Sequence, residues 1–251
     1  MDTILSFTYI WIVVAIITFF YLLIVKNAPY GRHTQKGWGL EVSNRTGWLI
    51  MEIPALVGFY VFFFLYFEKW TMPLVIFAAL WGLHYIYRAL IFPFRIKTKG
   101  KKMPLAIALS GLLFNGVNTW IIGAYLALNI QKYVIDWLFS FPFIIGIIVF
   151  FIGWIVNQHS DHILLHLRKP GETDYKIPKG GLFKYVSCPN LLGEIIEWTG
   201  FAIMTWSLSA LAFLCWTCAN LIPRAIAHHK WYKDKFEEYP KKRKAIFPFL
   251  W

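Results

Sequence analysis

Apolar residues along this chain fall in long, unbroken runs, without the alternation that marks half-buried strands. A helix that crosses a bilayer needs about 20 consecutive apolar residues. Runs of that kind occupy residues 4–25, 49–67, 72–92, 104–128 and 139–158. The next run, 195–222, would reach about 42 Å as one helix, beyond a hydrocarbon core of about 30 Å. It reads either as one long span or as two short ones turning near Ser207-Leu208-Ser209. The first run lacks a basic leader and a small-residue cleavage site, so a retained span is expected rather than a signal peptide.

Charge chooses between these counts. The segments 26–48, 93–103, 159–194 and 223–251 hold 22 of the 25 Lys and Arg residues. Basic residues gather on the cytoplasmic side of a membrane protein. With the N-terminus outside, the first three basic segments fall inside. The tail joins them only if 195–222 crosses twice. The pattern therefore predicts an all-α integral membrane fold of seven transmembrane helices, N-out and C-in.

Composition agrees. Of the 251 residues 58% are hydrophobic and 15% charged, against about a quarter charged in soluble domains. The net charge of +12 is explained by basic loops facing anionic lipid, not by nucleic-acid binding. Three cysteines (Cys188, Cys215, Cys218) make no disulfide framework.

Ionisable groups within a membrane helix are costly and mark function by default. Glu52 lies about 5 Å inside the second span, and His84 and Tyr85 lie about 10 Å from the cytoplasmic end of the third, at 1.5 Å per residue. Glu52 and Tyr85 are thus expected at similar depth; the plainer alternative is that Glu52 reaches to water from a boundary. Three polar sets have helical spacing: Asn157, Asp161 and Arg168; Asn190, Glu194 and Glu197; and Arg224, His228 and Tyr232. Any one set reads as helix-end caps and ion pairs. Together, at the cytoplasmic ends of three helices, they read as a binding site. The 159–194 connection mixes turn residues with Tyr175, Phe183 and Tyr185, the composition of an ordered loop over such a site.

Some chemistry is missing. Neither a GxGxxG nor a GxxxxGK[ST] motif occurs, which excludes the usual soluble nucleotide folds. Cys215-Trp216-Thr217-Cys218 lies within a span without partner ligands. His159, His162 and His166 belong to only seven histidines in the chain. No metal site is expected.

The stretches NQHSDHILLHLRKPGETDYKIPKGGLFKYVSCPNLLGEIIEW (157–198) and RAIAHHKWYKDKFEEYPKKRKAIFPF (224–249) resemble the steroid 5α-reductase family, the 3-oxo-5α-steroid 4-dehydrogenases. PYGRHT at 29–34, MEIPA at 51–55 and LHYIYR at 83–88 extend the resemblance into the N-terminal half. The C-terminal pattern is shared with sterol, enoyl-CoA and polyprenol reductases and membrane methyltransferases. The N-terminal agreement points to the steroid branch.

The resemblance implies seven spans, with cytoplasmic loops closing a cofactor chamber. It implies NADPH-dependent reduction of the C4–C5 double bond of a lipid-soluble 3-oxo-Δ4 steroid. By position, Glu52 and Tyr85 correspond to the pair that holds the C3 carbonyl. Ser110, Phe114 and Asn118 complete the substrate set. NADPH positions fall on Asn157, Asp161, Arg168, Tyr175, Asn190, Glu194, Arg224, His228 and Tyr232. Residues 1–130 would form the substrate half of one membrane domain and 139–251 the NADPH half. A desolvated Glu52 is expected to hold its proton and donate to the carbonyl oxygen. Two positions depart from the family: Ser110 stands where relatives carry arginine, and Lys176 replaces an arginine, losing its bidentate fork.

The expected membrane is a bacterial cytoplasmic membrane or the endoplasmic reticulum, with no obligate protein partner. The nearest alternative is a related reductase of enoyl-CoA or polyprenol-type substrates. A seven-span transporter or receptor would bind ligand without consuming NADPH, and a methyltransferase would bind S-adenosylmethionine.

Overall fold

The computed structural model describes residues 2–25, 39–97, 100–169, 172 and 174–248. Segment 29–34, which carries part of the resemblance, lies outside them, as do Pro170 and Gly171. The long helices are α1 (Asp2–Ile24), α2 (Asn44–Leu65), α3 (Met72–Arg95), α4 (Leu105–Leu128), α5 (Phe141–His166), α6 (Pro189–Thr205) and α7 (Leu208–Lys235). All but α6 are long and apolar enough to cross a membrane, so this is a multi-pass membrane protein. Their outward faces are apolar; Ile17, Phe64, Leu113 and Phe141 are among the exposed side chains.

Several helices outrun the apolar stretches that announced them. Helix α2 starts at Asn44 because Ser43 caps it, its hydroxyl accepting from the Thr46 N–H at 3.0 Å. Helix α6 starts at Pro189, a residue suited to a first turn because it has no N–H to satisfy. The run 195–222 is indeed broken. Trp206 ends α6 in the left-handed region (φ 47°, ψ 46°), its N–H donating to the Ala202 and Ile203 carbonyls. That conformation costs a non-glycine residue about 1–2 kcal/mol. Ser207 then restarts the chain, accepting from the Ala210 N–H at 3.2 Å.

The chain divides into two compact units. The first comprises Met1–Ile10, Ala28–Ile144 and Ser207–Ala210. Here β1 (Glu41–Ser43) pairs antiparallel with β2 (Lys102–Pro104), with Val42 opposite Met103. Each strand runs straight into a helix, so this short ribbon holds the starts of α2 and α4 side by side. Glycines let the two helices approach. A Cβ at Gly123 would stand 2.8 Å from the Phe59 carbonyl oxygen, and one at Gly111 would stand 2.6 Å from Met51 Cγ.

The second unit comprises Trp11–Asn27, Ile145–Trp206 and Leu211–Trp251. Its central contact is between α5 and α6, and it depends on two glycine pairs spaced by seven, Gly146/Gly153 and Gly193/Gly200. A Cβ at Gly153 would meet the Glu197 backbone, one at Gly193 the Asn157 backbone, and one at Gly200 the Phe150 backbone. Such close approach by small residues is how membrane helices gain packing without a hydrophobic driving force between them.

Candidate active site

In the first unit the site begins at Glu52, on the third turn of α2. Asn115 Nδ2 donates to the Met51 carbonyl at 2.6 Å, and Trp81 Nε1 donates to the Ala55 carbonyl at 2.9 Å. Helix α2 is therefore tied to α4 and to α3 on either side of Glu52. Interhelical bonds of this kind contribute about 0.6 kcal/mol each in a membrane. Their larger effect here is to fix the helix rotation that aims the carboxylate.

Tyr85, 4% exposed, lies on α3 with its ring 4.8 Å from those of Trp81 and His84. Trp81 thus contacts Tyr85 and hydrogen-bonds α2 within a turn of Glu52. Just beyond Tyr85, α3 widens into a π-turn over Ile86–Ile91, where the Phe92 N–H reaches the Tyr87 carbonyl. Trp48 Nε1 donates to the Arg88 carbonyl at 3.1 Å. The Arg88 guanidinium lies over the rings of Trp48 (4.7 Å) and Phe92 (4.9 Å), with its Nε 4.0 Å from Glu52 Oε1. The Glu52 carboxyl thus has the Arg88 guanidinium beside it.

The remaining substrate-set residues lie on α4. Asn118 is 1% exposed and its Nδ2 donates to the Phe114 carbonyl at 2.8 Å. Ser110 is exposed, and its hydroxyl bonds its own helix at the Ile107 carbonyl.

In the second unit, two of the three polar sets lie along single helices: Asn190, Glu194 and Glu197 on α6, and Arg224, His228 and Tyr232 on α7. The other set divides. Asn157 and Asp161 are on α5, but that helix ends at His166, so Arg168 lies beyond it and not on the same helical face. Asn157 Nδ2 donates to the Asn190 carbonyl at 3.0 Å, and Asn190 Nδ2 donates to Asp161 Oδ1 at 3.2 Å. These three residues form one connected group at the glycine-paired crossing of α5 and α6. Glu197, fully buried, lies on the same crossing, where its backbone faces Gly153.

An aromatic wall stands elsewhere in this unit. Tyr175 meets Trp231 edge-on at 4.8 Å, and Trp231 meets Tyr232 at 5.3 Å. The loop bearing Tyr175 turns at Gly180 and Gly181, both at positive φ (94° and 48°), into a short 3₁₀ turn with Phe183 buried. A Cβ at Gly181 would stand 2.6 Å from His159 Cε1, so a glycine is needed there for space as well as for φ. Lys176 Nζ donates to Glu172 Oε2 at 2.6 Å; with the Lys169 N–H this holds the Glu172 carboxyl below its ordinary value.

Asn115, Trp81 and the glycine pairs were not singled out in the sequence. The seven-residue glycine spacing was a legible signal; the two side chains that tie α2 had none.

Residues 101–251 match the family model for 3-oxo-5-alpha-steroid 4-dehydrogenase. The chain is 41% identical over 255 residues to steroid 5-alpha-reductase DET2 of Solanum lycopersicum, covering 100% of this chain and 98% of that one. It is 39% identical over 247 residues to 3-oxo-5-alpha-steroid 4-dehydrogenase 1 of Bos taurus, covering 91% and 90%. The human protein of that name is 42% identical over 229 residues, covering 89% and 86%. The chain belongs to the 3-oxo-5-alpha-steroid 4-dehydrogenase family, membrane oxidoreductases of steroid metabolism.

Proposed function

We propose that this protein uses NADPH to reduce the C4–C5 double bond of 3-oxo-Δ4 steroids to 5α-dihydrosteroids. The observation that carries the reading is Glu52. It is a carboxylic residue among apolar helices, with Arg88 4.0 Å away and the carbonyls of Met51 and Ala55 taken up by Asn115 and Trp81.

The donor chemistry of the second unit fits a nicotinamide dinucleotide. Arg168, Arg224 and His228 offer cationic partners for phosphates. The linked Asn157, Asp161 and Asn190 offer the donors and acceptors that a ribose or carboxamide needs, with Glu194 one turn on. Tyr175, edge-on to Trp231, offers an aromatic ring, and Tyr232 a phenol hydroxyl. When bound, NADPH supplies the hydride that reaches C5.

As hydride adds to C5, negative charge grows on the C3 oxygen, and the enolate is resolved when C4 takes a proton from water. Preorganised donors aimed at the C3 oxygen lower the barrier. Tyr85 donates its hydroxyl proton in a hydrogen bond, and Glu52 donates as the neutral acid. With Glu52 neutral, the Glu52–Arg88 pair carries one positive charge, the complement of the enolate. Phe114 and Asn118 line the substrate's path, and Ser110 leaves the far end of the steroid without the arginine of relatives.

In the membrane, α6 also crosses, as the sixth of seven spans, with the N-terminus outside and the basic tail in the cytoplasm. Residues 1–130 form the substrate half of a single membrane domain and 139–251 the NADPH half. NADPH then arrives from the aqueous side and the steroid from the lipid.

The test is NADPH oxidation by the purified protein in lipid, with and without testosterone, and identification of the product. Steroid-dependent oxidation yielding the 5α-dihydro product is expected. NADPH binding without steroid turnover would move the substrate to enoyl-CoA or polyprenol-type compounds.

A further inference from the structure

Ser187 lies outside every set considered so far, two residues ahead of α6 and 3% exposed. Its hydroxyl oxygen is 2.6 Å from His229 Nδ1 on α7 and 2.6 Å from the Tyr239 hydroxyl, and it donates to the Lys244 carbonyl at 3.1 Å. A serine hydroxyl has one proton. With that proton on Lys244, the oxygen accepts from His229 Nδ1–H and from the Tyr239 O–H. The Tyr239 oxygen in turn accepts from Arg243 Nη1 at 3.4 Å. The protons of the Ser187 hydroxyl, His229 Nδ1 and the Tyr239 hydroxyl then each have one destination. Burial pushes the Tyr239 phenol above its ordinary value, against the lowering by its bonds to Ser187 and Arg243, so it keeps the proton it donates.

The backbone closes around this oxygen. The Ser187 N–H donates to the Lys244 carbonyl (2.8 Å), the Lys244 N–H to the Tyr185 carbonyl (2.9 Å) and the Cys188 N–H to the Ala245 carbonyl (3.2 Å). Ile246 is buried with Cys188, Leu191, Ile195 and Ala225, where α6, α7 and the tail meet.

Three segments assigned to the cofactor leave directly from this cluster. Asn190 is three residues beyond Ser187 and carries the bonds to Asn157 and Asp161. His228 adjoins His229. Tyr232 stacks on Tyr239, with centroids 5.4 Å apart and planes inclined by 10°. We propose that Ser187, with Tyr239 and His229, forms a positioning hub that sets Asn190, His228 and Tyr232 in register for the dinucleotide. The hub touches no cofactor itself; it acts through the residues that do. This inference rests on the NADPH reading above.

The test uses the full chain in detergent or lipid. NADPH affinity is titrated without steroid, and KM for NADPH and for testosterone is measured separately. Ser187→Ala and Tyr239→Phe should each weaken NADPH binding by about tenfold, or about 1.4 kcal/mol. The testosterone KM should stay at its original value, and Ser187→Thr, which keeps the hydroxyl, should restore affinity. Tyr239→Phe retains the stacked ring and decides the matter if Ser187→Ala does not fold. Unchanged NADPH affinity in the folded variants would overturn the hub. So would loss of NADPH and steroid affinity together with a lowered unfolding temperature, the mark of general destabilisation. If the unmodified protein binds NADPH but turns over no steroid, the substrate reading fails while the hub is still judged by affinity. If the unmodified protein binds no NADPH, the cofactor reading falls and takes the hub with it.

Discussion

Around Glu52 in the first unit, the nearest glycines face side chains: Gly111 of α4 meets Met51 of α2, and Gly47 of α2 meets Met103 of β2. Across the α5–α6 contact of the second unit, Gly153, Gly193 and Gly200 face backbone. A methionine can move aside by changing rotamer; a helix backbone cannot. The first unit does have a backbone contact, at Gly123 against Phe59, but it lies toward the end of α2 away from Glu52. Adjustable packing therefore adjoins the residues assigned to a steroid. Fixed packing adjoins those assigned to a cofactor of constant shape.

The strongest challenge to this contrast is Gly153→Leu. Its side chain would run into the Glu197 backbone, so no monodisperse folded protein should be recovered on gel filtration. Recovery of stable protein would mean that the α5–α6 contact yields after all. Next is Glu52→Gln, which should lower steroid turnover by about 100-fold or more while NADPH affinity holds. Near-normal turnover would remove Glu52 from the chemistry of the first unit. Arg224→Ala should weaken NADPH binding by about tenfold, the loss expected of one charged contact, before steroid binding changes. A change in steroid affinity alone would undo the division of labour. The smallest effect belongs to Gly111→Ala. Met51 can give way, so the loss should be about 1 kcal/mol or less in a denaturation series. A collapse like that of Gly153→Leu would erase the distinction between the two contacts.

Much of this architecture is written in the apolar runs, because lipid imposes them directly. The starts of α3 at Met72 and α4 at Leu105 fall where hydropathy puts them, as does the break after Trp206. Hydropathy reports the length in contact with lipid, not the length of helix. It therefore cannot see Asn44–Thr46, held helical by the Ser43 cap, or α7 running on through Arg224 to Lys235. The spacing of Arg224, His228 and Tyr232 did reveal that extension. The same rule failed at Arg168, because periodicity carries no signal that the helix stops at His166. Partners far apart in the chain are harder still. Ser187 lies 42 residues from His229 and 52 from Tyr239, and nothing local to Ser187 marks it as their meeting point.

The π-turn at Ile86–Ile91 has a consequence for any change in length here. One residue turns an α-helix by about 100°, so the extra residue in a π-turn acts as a phase shifter between the side chains on either side. Deleting a residue from this stretch would give a regular, better-bonded helix. It would also swing Phe92 away from Trp48 and Arg88 relative to Tyr85, because direction, not bonding, is what the added residue supplies. Chain length in α3 is thus a steering parameter, and a deletion that strengthens the helix would misalign the side chains it carries.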